Sequence, residues 1–314
     1  MAAASATFAI GGLGVALATP FDEAGRVDFA GFAGLVDFVS AESGSGGSFR
    51  AAESGGADFL VVLGSTGEGG TIEAGERREL IARAVEVSPG LPVVVGAGSN
   101  STAQCVRFVA EAVDQGADGL LVVVPYYNKP TPDGLVAHFR AAAGAARGKP
   151  VIVYNVPGRT GLNLTPSVLS RLWEIPGIAA VKESSGNLAQ IGEIGRTLPE
   201  GKILLSGDDA LALPSVALGA EGLISVAANV LPRRCKAMLA AAFAGKRDEA
   251  LRLHRQLLPF MDALFLESNP VPLKAALALV GLCGEGLRLP LTGASRSTRT
   301  RLAETLAAIS EGRA

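Results

Sequence analysis

A single lysine, Lys182, ends the short apolar run Ile178-Ala179-Ala180-Val181 and is followed at once by Glu183 and Ser184. Burying an ammonium among Ile and Val side chains costs several kcal/mol, so such a site favours the neutral amine. A neutral primary amine adds to a ketone and forms a Schiff base, which turns the bound carbonyl compound into an electron sink. The plainer alternative is a strand-end lysine whose head reaches water while its stem covers apolar surface. Other apolar runs end in polar residues too: Thr19-Pro20, Gly64-Ser65-Thr66-Gly67-Glu68, Tyr126-Tyr127-Asn128, Tyr154-Asn155 with Arg159 close behind, Gly207-Asp208-Asp209, and Ser225. Singly, each has an ordinary explanation. The Gly64–Gly67 turn suits a helix start, where Ser and Thr cap free N–H groups. Tyr154 suits core packing, Tyr126-Tyr127 an oligomer contact, and Arg159 a surface charge. Together they fit one task. A tyrosine hydroxyl with a serine or threonine hydroxyl relays the proton that imine formation moves. The fork of Arg159 suits a carboxylate, and the Gly64–Gly67 turn offers N–H groups and hydroxyls to another.

These ends need a frame. Runs rich in Val, Ile and Leu recur between longer Ala-rich amphipathic stretches, the alternation of βα units around a parallel sheet. Eight such runs are read at 14–19, 58–63, 92–96, 118–124, 151–155, 178–182, 203–206 and 222–226. Eight consecutive units predict a closed (β/α)8 TIM barrel rather than an open doubly wound sheet. Lys182 then lies on the sixth strand, at the C-terminal face where barrels build their sites. Thr165, Asn187 and Pro232 each open a helical stretch. Beyond Val226 the pattern is helical, over 233–243, 247–266, 270–281 and 296–311. The expected organisation is therefore a flexible tail at 1–12, a catalytic barrel at 13–232 and a helical C-terminal domain at 233–314. The Gly/Ser-rich stretch 40–56 reads as a flexible insertion on the N-terminal face, away from the chemistry.

Composition narrows the classes of function. The 314 residues carry 28 Lys+Arg against 30 Asp+Glu, a net charge of −2 without basic runs, which argues against nucleic acid or an anionic membrane as partner. Cys105, Cys235 and Cys283 are widely spaced and read as reduced packing residues of a cytoplasmic protein. The uncharged stretch 1–21 has no basic flank, is broken by glycines and ends in Thr19-Pro20; a short tail followed by a buried strand is preferred to an export signal. Two distant histidines, His138 and His254, make no metal cluster. Gly96-Ala97-Gly98-Ser99-Asn100-Ser101 is an incomplete dinucleotide fingerprint, and no phosphate-binding P-loop is present. No metal or organic cofactor is expected.

From about Gly14 to Pro290 the chain resembles the dihydrodipicolinate synthase family, within the superfamily that includes N-acetylneuraminate lyase. The resemblance rests on Gly64-Ser65-Thr66-Gly67-Glu68, Pro125-Tyr126-Tyr127-Asn128-Lys129-Pro130, Tyr154-Asn155-Val156-Pro157-Gly158-Arg159-Thr160-Gly161, Val181-Lys182-Glu183, Ser206-Gly207-Asp208-Asp209 and Asn269-Pro270-Val271-Pro272. It implies a class I aldolase in lysine and diaminopimelate biosynthesis. Lys182 would form an imine with pyruvate, and the derived enamine would attack L-aspartate 4-semialdehyde to give 4-hydroxytetrahydrodipicolinate. By the same resemblance Tyr154 is the proton donor and acceptor beside the imine, with Ser65 and Tyr127 completing the relay, and Tyr127 enters a neighbouring subunit of a homotetramer built as a dimer of dimers. Thr66, with backbone at Gly207 and Ile224, would hold the pyruvate carboxylate, and Arg159 the carboxylate of the semialdehyde. Ser65 stands where synthases commonly have threonine and keeps the hydroxyl. Arg159-Thr160 separates the chain from the lyase branch. A regulatory lysine site would use Tyr126 and Asn100, but Gln104 replaces its acid, and Ala74 and Arg77 replace histidines, so weak or absent lysine inhibition is expected. The competing readings are another Schiff-base aldolase or dehydratase acting on a sugar acid such as N-acetylneuraminate or a 2-keto-3-deoxy acid, and a non-catalytic binding barrel.

Overall fold

A computed structural model of the chain describes residues 10–41, 49–88 and 90–311. Eight short runs of mostly Val, Ile and Leu form parallel strands: β1 (Gly12–Ala16), β2 (Phe59–Val62), β3 (Val93–Gly96), β4 (Gly119–Val123), β5 (Val151–Asn155), β6 (Ile178–Glu183), β7 (Ile203–Ser206) and β8 (Gly222–Ser225). They pair in sequence order and close on themselves, Gly12 and Leu13 lying opposite Gly222 and Leu223. The architecture is a (β/α)8 barrel. Because strand side chains alternate, Leu13, Leu60, Val122 and Val181 face the surrounding helices, while Phe59, Val61, Ile152, Ala180, Leu205 and Ile224 fill the interior. Gly14 is required there: a Cβ would lie 2.3 Å from the Phe59 ring, which occupies its space inside the barrel.

Strand boundaries depart from the sequence reading mainly at β1. Gly12, expected in the flexible tail, opens the strand because barrel closure needs a partner for Gly222; Ile10 just before it is buried against the interior. Residues 1–9 of that tail lie outside the described residues. Within the expected insertion at 40–56, residues 42–48 also lie outside them, but Phe49–Glu53 form a helical turn. It is anchored by an ion pair between buried Glu53 and Arg234, N–O 2.6 Å, so this part of the insertion is tied to the following helical region. Beyond β8 a short 3-10 turn, Ala227–Asn229, leads to helices Pro232–Phe243, Arg247–Ala263, Val271–Leu279 and Arg296–Ser310. Asn187 caps its helix by accepting from the N–H groups of Ala189 and Gln190, whereas the Thr165 side chain makes no such bond. No helix among the described residues is long and apolar enough to cross a membrane.

Candidate active site

The parallel register of β5 and β6 places Tyr154 beside Lys182. Each follows an inward residue by two, Ile152 and Ala180, so both side chains continue the barrel interior at its C-terminal mouth. Lys182 is 5% exposed, and its Nζ lies 4.2 Å from the centroid of the Tyr154 ring. The amine nitrogen thus sits over the face of the tyrosine ring. Just beyond the end of β7 the next inward position is Gly207, where a Cβ would stand 2.7 Å from Lys182 Cε and 2.0 Å from Ser184 Oγ. The lysine stem therefore occupies the volume that any side chain at 207 would need. Buried Ser184 Oγ has no hydrogen-bond partner among the described residues.

A cavity of about 130 Å³ opens above these residues, lined among others by Ser65, Thr66, Tyr154, Arg159, Lys182 and Gly207. Asp208 also lines it. Its carboxyl is pushed up by burial and steadied by an N–H from Ala210, 3.0 Å from Oδ1. Ile224 points into the barrel interior, while Val226, two residues further, lines the cavity. Behind this wall Asp209, also raised by burial, accepts from Ser225 Oγ and from the N–H groups of Val226 and Ala227, joining the ends of β7 and β8.

The Ser65-Thr66 segment forms a turn of its own. The next helix starts only at Ala74, after a capping box between Glu73 and Glu76, so the expectation of a helix start at Gly64–Gly67 is not met. Leu63 and Glu68, at the two ends of the turn, have left-handed backbones with φ of 57° and 52°. Such conformations cost non-glycine residues free energy and persist where surrounding contacts enforce them. Those contacts are present. Thr19 Oγ1 donates to the Gly67 carbonyl at 2.7 Å, and the buried Glu68 carboxylate pairs with the fully buried Lys274 of the helix Val271–Leu279. Lys274 also donates to the Gly286 carbonyl at 2.7 Å and lies 4.0 Å from the Phe21 ring centroid. Burial pulls its ammonium below the ordinary lysine range, and Glu68 offsets part of that shift.

At the mouth, Arg159 Nη2 donates to the Asn269 carbonyl at 2.9 Å, and Asn269 Nδ2 donates to Thr66 Oγ1 at 2.9 Å. Asn269 lines the same cavity, and neither it nor Asp208 was given a role from sequence. Asn269 was visible in the Asn-Pro-Val-Pro segment, but its partners are more than a hundred residues away. Tyr127 lines neither this cavity nor the adjoining one. It is 86% exposed on a left-handed backbone, φ 69°. The adjoining cavity, about 380 Å³, shares Ser65, Tyr154 and Arg159 with the first and is bounded further out by Tyr126, Gln104 and Arg77. There Gln104 Oε1 accepts from Arg107, and the Asn100 carbonyl accepts from Asn128 Nδ2 at 2.8 Å. Arg77 is already engaged, donating to the Gly96 carbonyl at 2.7 Å and lying 4.2 Å from the Phe108 ring centroid; burial lowers its pKa to about 10.

His138 is buried against Thr102 Oγ1 at 3.0 Å, and burial lowers its pKa and that of His254. Among the described residues no group of His, Cys, Asp and Glu side chains is arranged to hold a metal ion.

This arrangement can bind a ketone near a buried amine, grip carboxylates on two sides and offer hydroxyls for proton transfer. Comparison with known proteins agrees in kind. The family model described as "Dihydrodipicolinate synthetase family" matches residues 9–309. The 4-hydroxy-tetrahydrodipicolinate synthase of Methylococcus capsulatus is 43% identical over 293 residues, 93% of this chain and 96% of its own. The crystal structure of dihydrodipicolinate synthase from Aquifex aeolicus is 40% identical with a TM-score of 0.87, covering 95% of this chain and 97% of that one. The chloride-inhibited dihydrodipicolinate synthase of Acinetobacter baumannii, complexed with pyruvate, is 36% identical with a TM-score of 0.88, covering 96% and 99%. With a family match spanning nearly the whole chain and a Lys182–Tyr154 site at the barrel mouth, the chain belongs to the dihydrodipicolinate synthetase family.

Proposed function

We infer that this chain, a lyase of its family, condenses pyruvate with L-aspartate 4-semialdehyde to 4-hydroxytetrahydrodipicolinate, with Lys182 as the imine-forming nucleophile. The observation that carries the reading is the pairing of Lys182 with Tyr154 inside a cavity also lined by Thr66 and Arg159. The Lys182 amine adds to C2 of pyruvate, and water leaves as the imine forms. The iminium nitrogen draws electrons from C3, so the methyl group loses a proton and becomes an enamine. Tyr154 and Ser65 are the groups at hand to move those protons, with Tyr127 supplied by a neighbouring subunit. The enamine carbon attacks the aldehyde of the semialdehyde, whose carboxylate is bound by Arg159. The new chain's own amine then displaces Lys182 from C2, closing the ring and freeing the enzyme.

Thr66 and the backbone at Gly207 and Ile224 hold the pyruvate carboxylate in this reading. Because the imine on Lys182 is the electron sink, the chemistry calls for no metal or organic cofactor. The functional assembly is a homotetramer, and a cytoplasmic location suits a biosynthetic enzyme of lysine and diaminopimelate synthesis. With Gln104 in place of an acid and Arg77 already engaged, the outer cavity binds lysine weakly or not at all. Parallel assays test the substrate assignment: pyruvate with aspartate semialdehyde should turn over, and N-acetylneuraminate should not. Turnover confined to the sugar acid would replace this reading with that of a sugar-acid aldolase.

A further inference from the structure

We propose that Asn269 is a positioning residue that makes Thr66 a dedicated hydrogen-bond donor to the pyruvate carboxylate. The inference rests on the pyruvate-imine reading above and adds a residue to it. Asn269 is 4% exposed, sits between the helices Arg247–Ala263 and Val271–Leu279, and lines the cavity that contains Lys182. Its side-chain Nδ2 donates to Thr66 Oγ1 at 2.9 Å, while its main-chain carbonyl accepts from Arg159 Nη2 at 2.9 Å. One residue thus touches the groups assigned to both carboxylates, through two chemically separate atoms.

The direction of the first bond matters. A threonine hydroxyl has one hydrogen and two lone pairs, whereas an amide nitrogen only donates. By filling a lone pair of Thr66, Asn269 leaves the hydroxyl hydrogen for another acceptor, and a carboxylate is an acceptor only. The Asn269 Oδ1 atom has no partner among the described residues, where the amide is held by Thr66 alone. The Arg159 contact uses the main chain and survives a change of side chain.

Two near-isosteric substitutions separate this role from simple packing. Asn269→Asp replaces the donor with an acceptor that captures the Thr66 hydrogen and adds a negative charge near the pyruvate carboxylate. Asn269→Leu removes the donor and adds no acceptor. The pyruvate concentration that gives half-maximal borohydride trapping of the imine should rise at least about tenfold in N269D, the scale of a lost hydrogen bond to a charged group. It should rise less in N269L. In both variants KM for aspartate semialdehyde should rise by a smaller factor than the pyruvate half-saturation does. N269L, which adds no charge, should cause no loss beyond that of T66V when combined with Thr66→Val. A thermal melt of each variant confirms that it folds. Unchanged pyruvate half-saturation in N269D, a larger loss in N269L than in N269D, or equal losses for both substrates would overturn the proposal. If wild type itself gives no pyruvate adduct, the imine reading fails, and the role of Asn269 fails with it; an adduct in wild type with an unmoved N269D overturns the Asn269 role alone.

Discussion

Arg159 and Ser65 act, in this account, on different steps, and their substitutions should separate them. Arg159→Ala removes the fork for the semialdehyde carboxylate and should lower kcat/KM for the semialdehyde by about 10–100-fold, the range for a hydrogen-bonded charge. Pyruvate imine formation should stay near wild type, since Arg159 is not assigned to that carboxylate. Equal loss of both steps, read by rapid-quench trapping and steady-state rates, would contradict its assignment. Ser65→Ala should reduce kcat by about a hundredfold, the low end of general acid–base contributions, and Ser65→Thr should restore most of it. Lys182, Tyr154, Ser65, Thr66 and Arg159 were legible in the sequence because each lies at the end of an apolar run, and the structure gathers all five around one cavity. Asn269 was not legible as a contact of Thr66 and Arg159, because nothing local in Asn-Pro-Val-Pro specifies partners so far away in the chain.

The strands that position these residues are plainer in the sequence than their ends and turns, for physical reasons. Eight buried strands announce themselves by apolar runs, but the ends of β1 are set by closure against β8 rather than by local composition. The Gly64–Gly67 turn resembled a helix start because Ser and Thr are common at both; it is shaped instead by distant anchors. The principal anchor is the buried Glu68–Lys274 pair, which joins the turn to the C-terminal helices. Lys274→Met would strand the Glu68 carboxylate in a site without a counter-charge and should destabilise the protein by about 3–5 kcal/mol in urea unfolding. The double variant Glu68→Leu with Lys274→Met should be less damaging than Lys274→Met alone, because no unpaired buried charge remains. A double variant worse than the single would mean that the pair stabilises through more than charge balance. A neighbouring pair gives a pH signature. Hydrogen bonds from Arg288 hold the Glu76 carboxyl below its ordinary range, outweighing the opposing effect of partial burial. Its contribution to stability is therefore full above the ordinary carboxylate range of about 4.3 and is lost as pH falls through the lowered value. Glu76→Gln should flatten the acid limb of stability against pH without changing the neutral region in shape; an unchanged acid limb would count against the linkage.

At the scale of the whole molecule, one residue assigned to the site stands apart from it. Tyr127, assigned to the proton relay by family resemblance, stands exposed on a strained backbone and lines neither cavity of its own chain. Subunit complementation tests whether it serves a neighbour. Lys182→Ala and Tyr127→Phe chains are each expected to be nearly inactive. Mixed assemblies should regain activity, because a Tyr127→Phe subunit keeps its own Lys182 and receives Tyr127 from the partner. No recovery on mixing, with mixed assemblies verified by native mass spectrometry, would place Tyr127 in its own subunit's site or outside catalysis. The barrel was legible at this scale because eight units leave few alternatives; the surroundings of Tyr127 were not, because an exposed tyrosine in a sequence looks the same whether it meets water or a partner.

Lys182 as the nucleophile that captures pyruvate is open to direct chemical test. Incubation with pyruvate, reduction with borohydride and peptide mass spectrometry should locate one adduct, heavier by pyruvate less water plus two hydrogens, on Lys182, and Lys182→Ala should give none. An unmodified Lys182 under conditions of turnover, or an adduct on another lysine, would contradict the account.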